Sequence, residues 1–152
     1  MPVTTLEART KILADLTAAS DHIALALACF SEAFELLDDA TAERLELQLF
    51  RPVQRAYGRA KRTHDEFAAR VGMPGGTFGS PSAGLSSQGV KVLCERATGA
   101  ALEADQAIAE LQDSMLPIEA GDAELRSGLS EVRELLAPVP GASADLLRVL
   151  GR

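Results

Sequence analysis

Apolar residues recur every three or four positions in three long stretches of the chain, which is the spacing of an amphipathic α-helix. These stretches cover Ile12 to Leu37, Leu49 to Val71 and Leu93 to Met115. Two shorter apolar stretches, within residues 125–136 and 146–150, complete the pattern. Amphipathic helices must bury their apolar stripes against one another. The pattern therefore predicts an all-α protein.

Capping residues and prolines predict where these helices begin and end. The predicted helices cover Thr5 to Leu37, Thr41 to Val71 and Val90 to Leu116, followed by one capped by Asp122 and a short one capped by Ser143. Pro52 removes a backbone donor, so we expect a kink around residues 50–52, and Pro117 ends the third helix. Residues 138–141 interrupt the last helix. The chain thus resembles an up-down-up-down four-helix bundle with a kinked second helix and a broken fourth helix, in one domain over residues 1–152.

The connection over residues 74–89 differs in composition from the rest of the chain. It contains five glycines, two prolines and four serines and carries no charge. This composition is typical of a flexible loop. The loop is either a passive connector or a lid held by Phe78 and Leu85, and Ser80-Pro81 could begin a helical turn within it.

Charge and hydropathy argue against a nucleic-acid-binding, membrane or secreted protein. The formal net charge of −7 opposes non-specific binding to nucleic acid and to anionic membranes. The first residues lack a signal-peptide pattern, and the most apolar segment, Ile23 to Phe30, is far too short to span a bilayer. Cys29 and Cys94 lie in separate apolar stretches, which is typical of buried thiols in a reducing compartment. We expect a soluble cytoplasmic protein without membrane contact, and nucleic acid is not its expected partner.

A metal centre requires clustered ligands, and histidine is scarce in this chain. Di-iron sites in helical bundles use Glu-x-x-His pairs. Three residues before His22 and His64 stand Ala19 and Lys61 instead of carboxylates. We therefore expect neither a metal ion nor another cofactor.

A row of arginines is the strongest charge feature of the second predicted helix. Arg51, Arg55, Arg59 and Arg62 are spaced by four, four and three residues, so they share one face, opposite the apolar stripe. Residues 51–70 carry a net charge of +4 and the rest of the chain −11. Such a face could bind a phosphate-bearing ligand or RNA. We favour the alternative that these arginines pair with acidic side chains of neighbouring helices or of a second protomer.

The segment Arg59-Ala-Lys-Arg-Thr-His64 has an arginine and a histidine separated by four residues. This spacing resembles that of HEPN-type ribonucleases, small all-α domains that dimerise and cleave RNA without a metal ion. The resemblance implies that His64 is the general acid or base and that Arg59 stabilises the phosphate. Ala60 stands where that family usually has a polar residue. The helical phase of His64 favours another role, a core histidine hydrogen-bonded to Tyr57 or to a backbone carbonyl.

Two leucines of the first predicted helix point away from its apolar stripe. A monomeric bundle would leave Leu25 and Leu36 on its surface, so we expect them at a homodimer interface. The sequence as a whole favours a non-catalytic helical bundle that acts through protein–protein interaction with an unidentified partner. The alternative is a ribonuclease or nucleotide-binding protein that uses the arginines and His64.

Overall fold

The computed structural model describes residues 4–84 and 88–151, and all regular secondary structure within them is helical. The helices are α1 Thr5–Glu35, α2 Asp39–Leu45, α3 Arg51–Arg70, α4 Val90–Asp113, α5 Leu116–Glu119, α6 Ala123–Leu136 and α7 Val139–Leu150. A π-helical segment, Glu46–Phe50, joins α2 to α3. The prediction of an all-α helical bundle is confirmed.

Helix α1 lies at the centre and packs mainly against α4 and α3. Its predicted stripe is buried, since Ile12, Leu16, Ile23 and Phe30 have no exposed surface. Thr4 caps the helix: its hydroxyl accepts the N–H of Glu7 at 3.1 Å, and the Glu7 carboxylate accepts the N–H of Thr4 at 3.3 Å. The helix begins where the sequence predicted and ends two residues earlier.

The second predicted helix consists of α2, the π-helical segment and α3. It begins earlier than predicted, because Asp38 is the cap and its carboxylate accepts the N–H of Thr41 at 2.8 Å. The N–H of Arg51 is bonded to the carbonyl of Glu46, five residues back. Pro52 follows directly, at the second position of α3. The expected irregularity near this proline is therefore a π-helical segment, a common cause of helix kinks.

Two predicted helix ends are wrong. Helix α4 stops at Asp113 because Met115 adopts a left-handed conformation, with φ 68°, and Pro117 lies inside the short helix α5. Ser143 is not a cap but a buried residue of α7, which begins at Val139. Proline is tolerated in the first turn, where its missing N–H has no helical partner. The Asp122 cap of α6 is confirmed, and so is a break before α7, but the break covers only Ala137 and Pro138 instead of residues 138–141, because Pro140 lies in the first turn of α7.

Helices α3 and α6 approach closely where Gly128 meets Thr63. A methyl group added to Gly128 would lie 2.7 Å from Cγ2 of Thr63, too close for a real contact. The Thr63 hydroxyl donates to the carbonyl of Arg59 at 2.7 Å, so its polar atom is satisfied inside the interface. This contact sets the spacing of the two helices whose outer faces form the candidate site.

The loop after α3 runs over the bundle without regular structure between residues 73 and 84. Asp65 of α3 accepts the N–H of Gly76, and Asp21 of α1 accepts the N–H of Gly79, both at 2.8 Å. Ala83 is buried, and its carbonyl accepts a hydrogen bond from Arg96 of α4. The loop is thus tethered to three helices. The helical turn considered at Ser80-Pro81 does not form, and Leu85 lies outside the described residues.

Helix α1 is long and apolar enough, by length and composition, to cross a membrane. The apolar stretch is therefore longer than the eight residues expected from the sequence. Its stripe is buried against α3 and α4 in this fold. Core helices of soluble proteins and signal sequences near an N-terminus pass the same test, so this single helix is weak evidence for a membrane segment.

Candidate binding groove

The predicted arginine row lies on the outer side of α3, and its members have different surroundings. Arg51 lies 3.7 Å from the carboxylate of Glu46. Arg59 is largely buried, and its Nε donates to Oε2 of Glu131 on α6 at 2.6 Å. Arg55 and Arg62 are exposed and make no ion pair with residues 4–84 or 88–151. Internal pairing therefore accounts for two of the four arginines.

The other two arginines, Arg55 and Arg62, line a groove between α3 and α6 with a volume of about 410 Å³. We call it the arginine groove; it is lined by Gln54, Arg55, Gly58, Arg59, Arg62, Glu131 and Leu135. Three arginines and one glutamate give these residues a net charge of +2, in a chain of −7. A positive groove on an otherwise acidic protein attracts anions selectively.

Gly58 lies in the groove beside Arg62. A methyl group added at this position would lie 3.4 Å from Nη1 of Arg62, so the Arg62 guanidinium folds back over Gly58. Gly58 is three residues after Arg55 and four before Arg62, so these residues share one side of the helix and line the groove together with Arg59. Neither Gly58 nor Glu131 was predicted as a site residue. Glu131 is 72 positions from Arg59, and only the fold shows that they meet.

Outside the groove, Arg70 forms a bidentate ion pair with Asp122. Its Nε and Nη2 donate to the two carboxylate oxygens at 2.7 and 2.9 Å. Hydrogen bonding to Arg70 lowers the pKa of Asp122, which also accepts the N–H of Leu125 as the cap of α6. This pair joins the start of α6 to the end of α3 and occupies two of the Arg70 donor groups.

His64 does not face the groove. It is 4% exposed, its Nδ1 lies 3.0 Å from Oδ1 of Asp65, and the Phe78 ring meets it edge to face at 5.3 Å between centroids. The expected partner was Tyr57 or a backbone carbonyl, so the burial is as predicted and the partner is different. The N–H of Gly76, with His64 in a smaller part, lowers the pKa of Asp65. The structure does not bring Arg59 and His64 together.

The other candidate ligands are dispersed. His22 pairs with Glu103 at 3.1 Å on the outside of α1 and α4. Cys29 and Cys94 are buried free thiols, and burial raises the pKa of both, that of Cys94 to about 11. No group of three or more His, Cys, Asp or Glu side chains that could hold a metal ion occurs within the described part of the chain.

The two leucines predicted at a dimer interface differ in exposure. Leu25 is half-buried and packs against the core, because helices cover more of α1 than a single stripe requires. The expectation that a monomer would leave it on the surface is therefore corrected. Leu36 is 45% exposed and borders a groove of about 630 Å³ at one end of the bundle. Sequence reasoning missed this groove, in which Leu36 meets Val90 and Leu147 from distant parts of the chain.

No family model matches the chain, and no curated protein or solved structure was found to match it.

Proposed function

We propose that this protein is a non-catalytic binding protein that acts through protein–protein interaction, with the arginine groove contacting an acidic part of its partner. The observation that carries the proposal is the exposed, unpaired state of Arg55 and Arg62 among the described residues, beside the Arg59–Glu131 pair. Guanidinium groups form strong, directional hydrogen bonds with carboxylates and phosphates. A partner's anion would find two such groups lining one groove.

The ribonuclease alternative has weaker support. It requires His64 and Arg59 to act on one phosphate, and a general acid or base must reach the atom it protonates. His64 is buried beneath Phe78, whereas Arg59 pairs with Glu131 on the side of α6.

Cytoplasmic location and a homodimer remain part of the proposal. The homodimer is supported by the exposure of Leu36.

The test uses fluorescein-labelled poly-L-glutamate as an acidic polypeptide and measures its anisotropy against wild type and two charge-matched double variants. Arg55→Gln with Arg62→Gln alters the arginine groove. Lys11→Gln with Arg44→Gln removes the same charge from residues outside the groove lining. We expect wild type and the control to bind and the groove variant to lose at least tenfold in affinity. Equal loss in both variants would contradict the assignment, as would cleavage of poly-uridylate that requires His64.

A further inference from the structure

We propose that the arginine groove recognises a phosphate monoester, carried by a phosphorylated side chain of a protein partner. This rests on the proposed function and specifies the chemistry of the partner. The evidence is the number of free donors in the groove, its charge, its length and the residue types that line it.

The donors outnumber what one carboxylate can use. Arg55 and Arg62 have unpaired guanidinium groups among the described residues, and Glu131 engages only Nε of Arg59 at hydrogen-bond distance. A carboxylate has two oxygens and one charge, which one guanidinium satisfies. A phosphate monoester has three terminal oxygens and a charge of about −1.5 to −2 at pH 7, so it can bridge two guanidinium groups.

The charge of the groove also favours a phosphate monoester. Its lining carries +2 after Glu131 is counted, which matches a nearly dianionic group. A phosphodiester of RNA carries one negative charge for each phosphate. The phosphodiester therefore matches the +2 of the lining less well than a phosphate monoester does.

The shape and lining favour a peptide over a nucleotide. From Gln54 to Arg62 the groove follows α3 for roughly 12 Å, at about 1.5 Å per residue. An extended peptide covers that length with about four residues. The described lining contains no aromatic ring on which a base could stack, and Leu135 is its one large apolar side chain. Base recognition commonly relies on such stacking.

The experiment compares three peptides with the same alanine-based sequence of seven residues and with phosphoserine, glutamate or serine at the centre. Binding is followed by two-dimensional NMR of the arginine Nε–Hε groups of ¹⁵N-labelled protein. We expect the phosphoserine peptide to bind at least tenfold more tightly than the glutamate peptide. The shifts should be confined to Arg55, Arg59 and Arg62, and the serine peptide should cause none. AMP is titrated in parallel as a phosphate monoester without a peptide.

Two variants show whether the groove is responsible. Gly58→Leu fills the groove without altering any charge, and Arg55→Gln with Arg62→Gln removes the donors; both should abolish binding of the phosphoserine peptide. The pair Lys11→Gln and Arg44→Gln should leave it unchanged. Circular dichroism establishes that each variant keeps its helical content.

The outcomes separate this inference from the proposed function. Equal affinity for the phosphoserine and glutamate peptides would overturn the phosphate assignment, while poly-L-glutamate binding that depends on Arg55 and Arg62 would keep the proposed function. AMP that binds through these arginines as tightly as the phosphopeptide would also overturn the phosphoprotein assignment. Phosphopeptide binding that survives both groove variants would overturn it as well. If neither phosphopeptide nor poly-L-glutamate binding depends on the groove, both proposals fail.

Discussion

The side chains of Arg59 and His64 project from different sides of α3. The two residues are five positions apart on the same helix. The Arg59 guanidinium is bonded to Glu131 of α6, and the His64 ring lies under Phe78 of the loop. At about 100° per residue, five positions turn a side chain through roughly 140° from the first. Because the two side chains diverge, they are not placed to act together on one phosphate. The divergence therefore weakens the ribonuclease alternative.

The contact between Gly128 and Thr63 should be sensitive to added volume. We expect Gly128→Ala to lower the free energy of unfolding by about 1–3 kcal/mol, because the new methyl group overlaps Thr63 and forces α3 and α6 apart. Urea denaturation followed by circular dichroism measures the change. Gly99→Ala is the matched control, since nothing lies within 4 Å of the added group and alanine favours the helix by about 0.5–1 kcal/mol. Equal effects of the two variants would refute the close packing.

The Arg70–Asp122 pair should make stability depend on pH in the acid range. Because Arg70 lowers the folded-state pKa of Asp122, the unfolded chain binds the proton more readily. The stabilisation is therefore fully present above the unfolded pKa of about 3.9 and is lost as pH falls towards the folded pKa. Asp122→Asn keeps a capping side chain, and we expect it to flatten the fall in unfolding free energy below pH 4. Asp15→Asn, in an exposed pair with Lys11, is the control, and an unchanged slope in Asp122→Asn would contradict the account.

The thiols of Cys29 and Cys94 should be inert in the folded protein. Both have no exposed surface, and burial raises the pKa of Cys94 to about 11, so the reactive thiolate is scarce at pH 8. We expect a disulfide reagent such as 5,5′-dithiobis(2-nitrobenzoic acid) to react with less than a tenth of the thiols in the time that suffices for complete reaction in 8 M urea. Rapid reaction of either thiol without denaturant would argue against the described packing of α1 and α4.

The expected homodimer can be tested at Leu36. Leu36→Glu places a charge on an exposed apolar residue, so we expect it to weaken self-association with less than about 0.5 kcal/mol of lost stability. Leu25→Glu is the comparison and should also destabilise the fold, because Leu25 packs against the core. Sedimentation velocity gives the mass, and a wild type that is monomeric at micromolar concentration would end the dimer proposal.

The spacing of apolar residues was sufficient to predict most of the fold. Ile12, Leu16 and Ile23 are buried as expected, and Pro52 marks the disturbed part of the second helix. The errors at Ser143 and Pro117 arose because proline can begin a helix as well as end one. The local sequence around a proline is compatible with either a helix start or a helix end, and tertiary packing determines which one forms.

The candidate site was predictable only in part. Helical phase placed Arg55, Arg59 and Arg62 on one face, which the structure confirms. It could not show that Arg59 is neutralised by Glu131, because that pair joins residues 72 positions apart. The place of Gly58 in the groove was also not evident from the sequence, since only the fold shows that the Arg62 guanidinium lies above it.

The most direct test of the central claim is a map of the contact surface on the protein itself. Poly-L-glutamate is titrated into ¹⁵N-labelled protein, and the shifts of all arginine Nε–Hε groups and of the His64 ring are followed together. The account predicts saturable shifts at Arg55, Arg59 and Arg62, which line the groove, with Arg70 and His64 unchanged because they lie outside its lining. Shifts at His64 together with Arg59, or shifts spread evenly over all arginines, would contradict it.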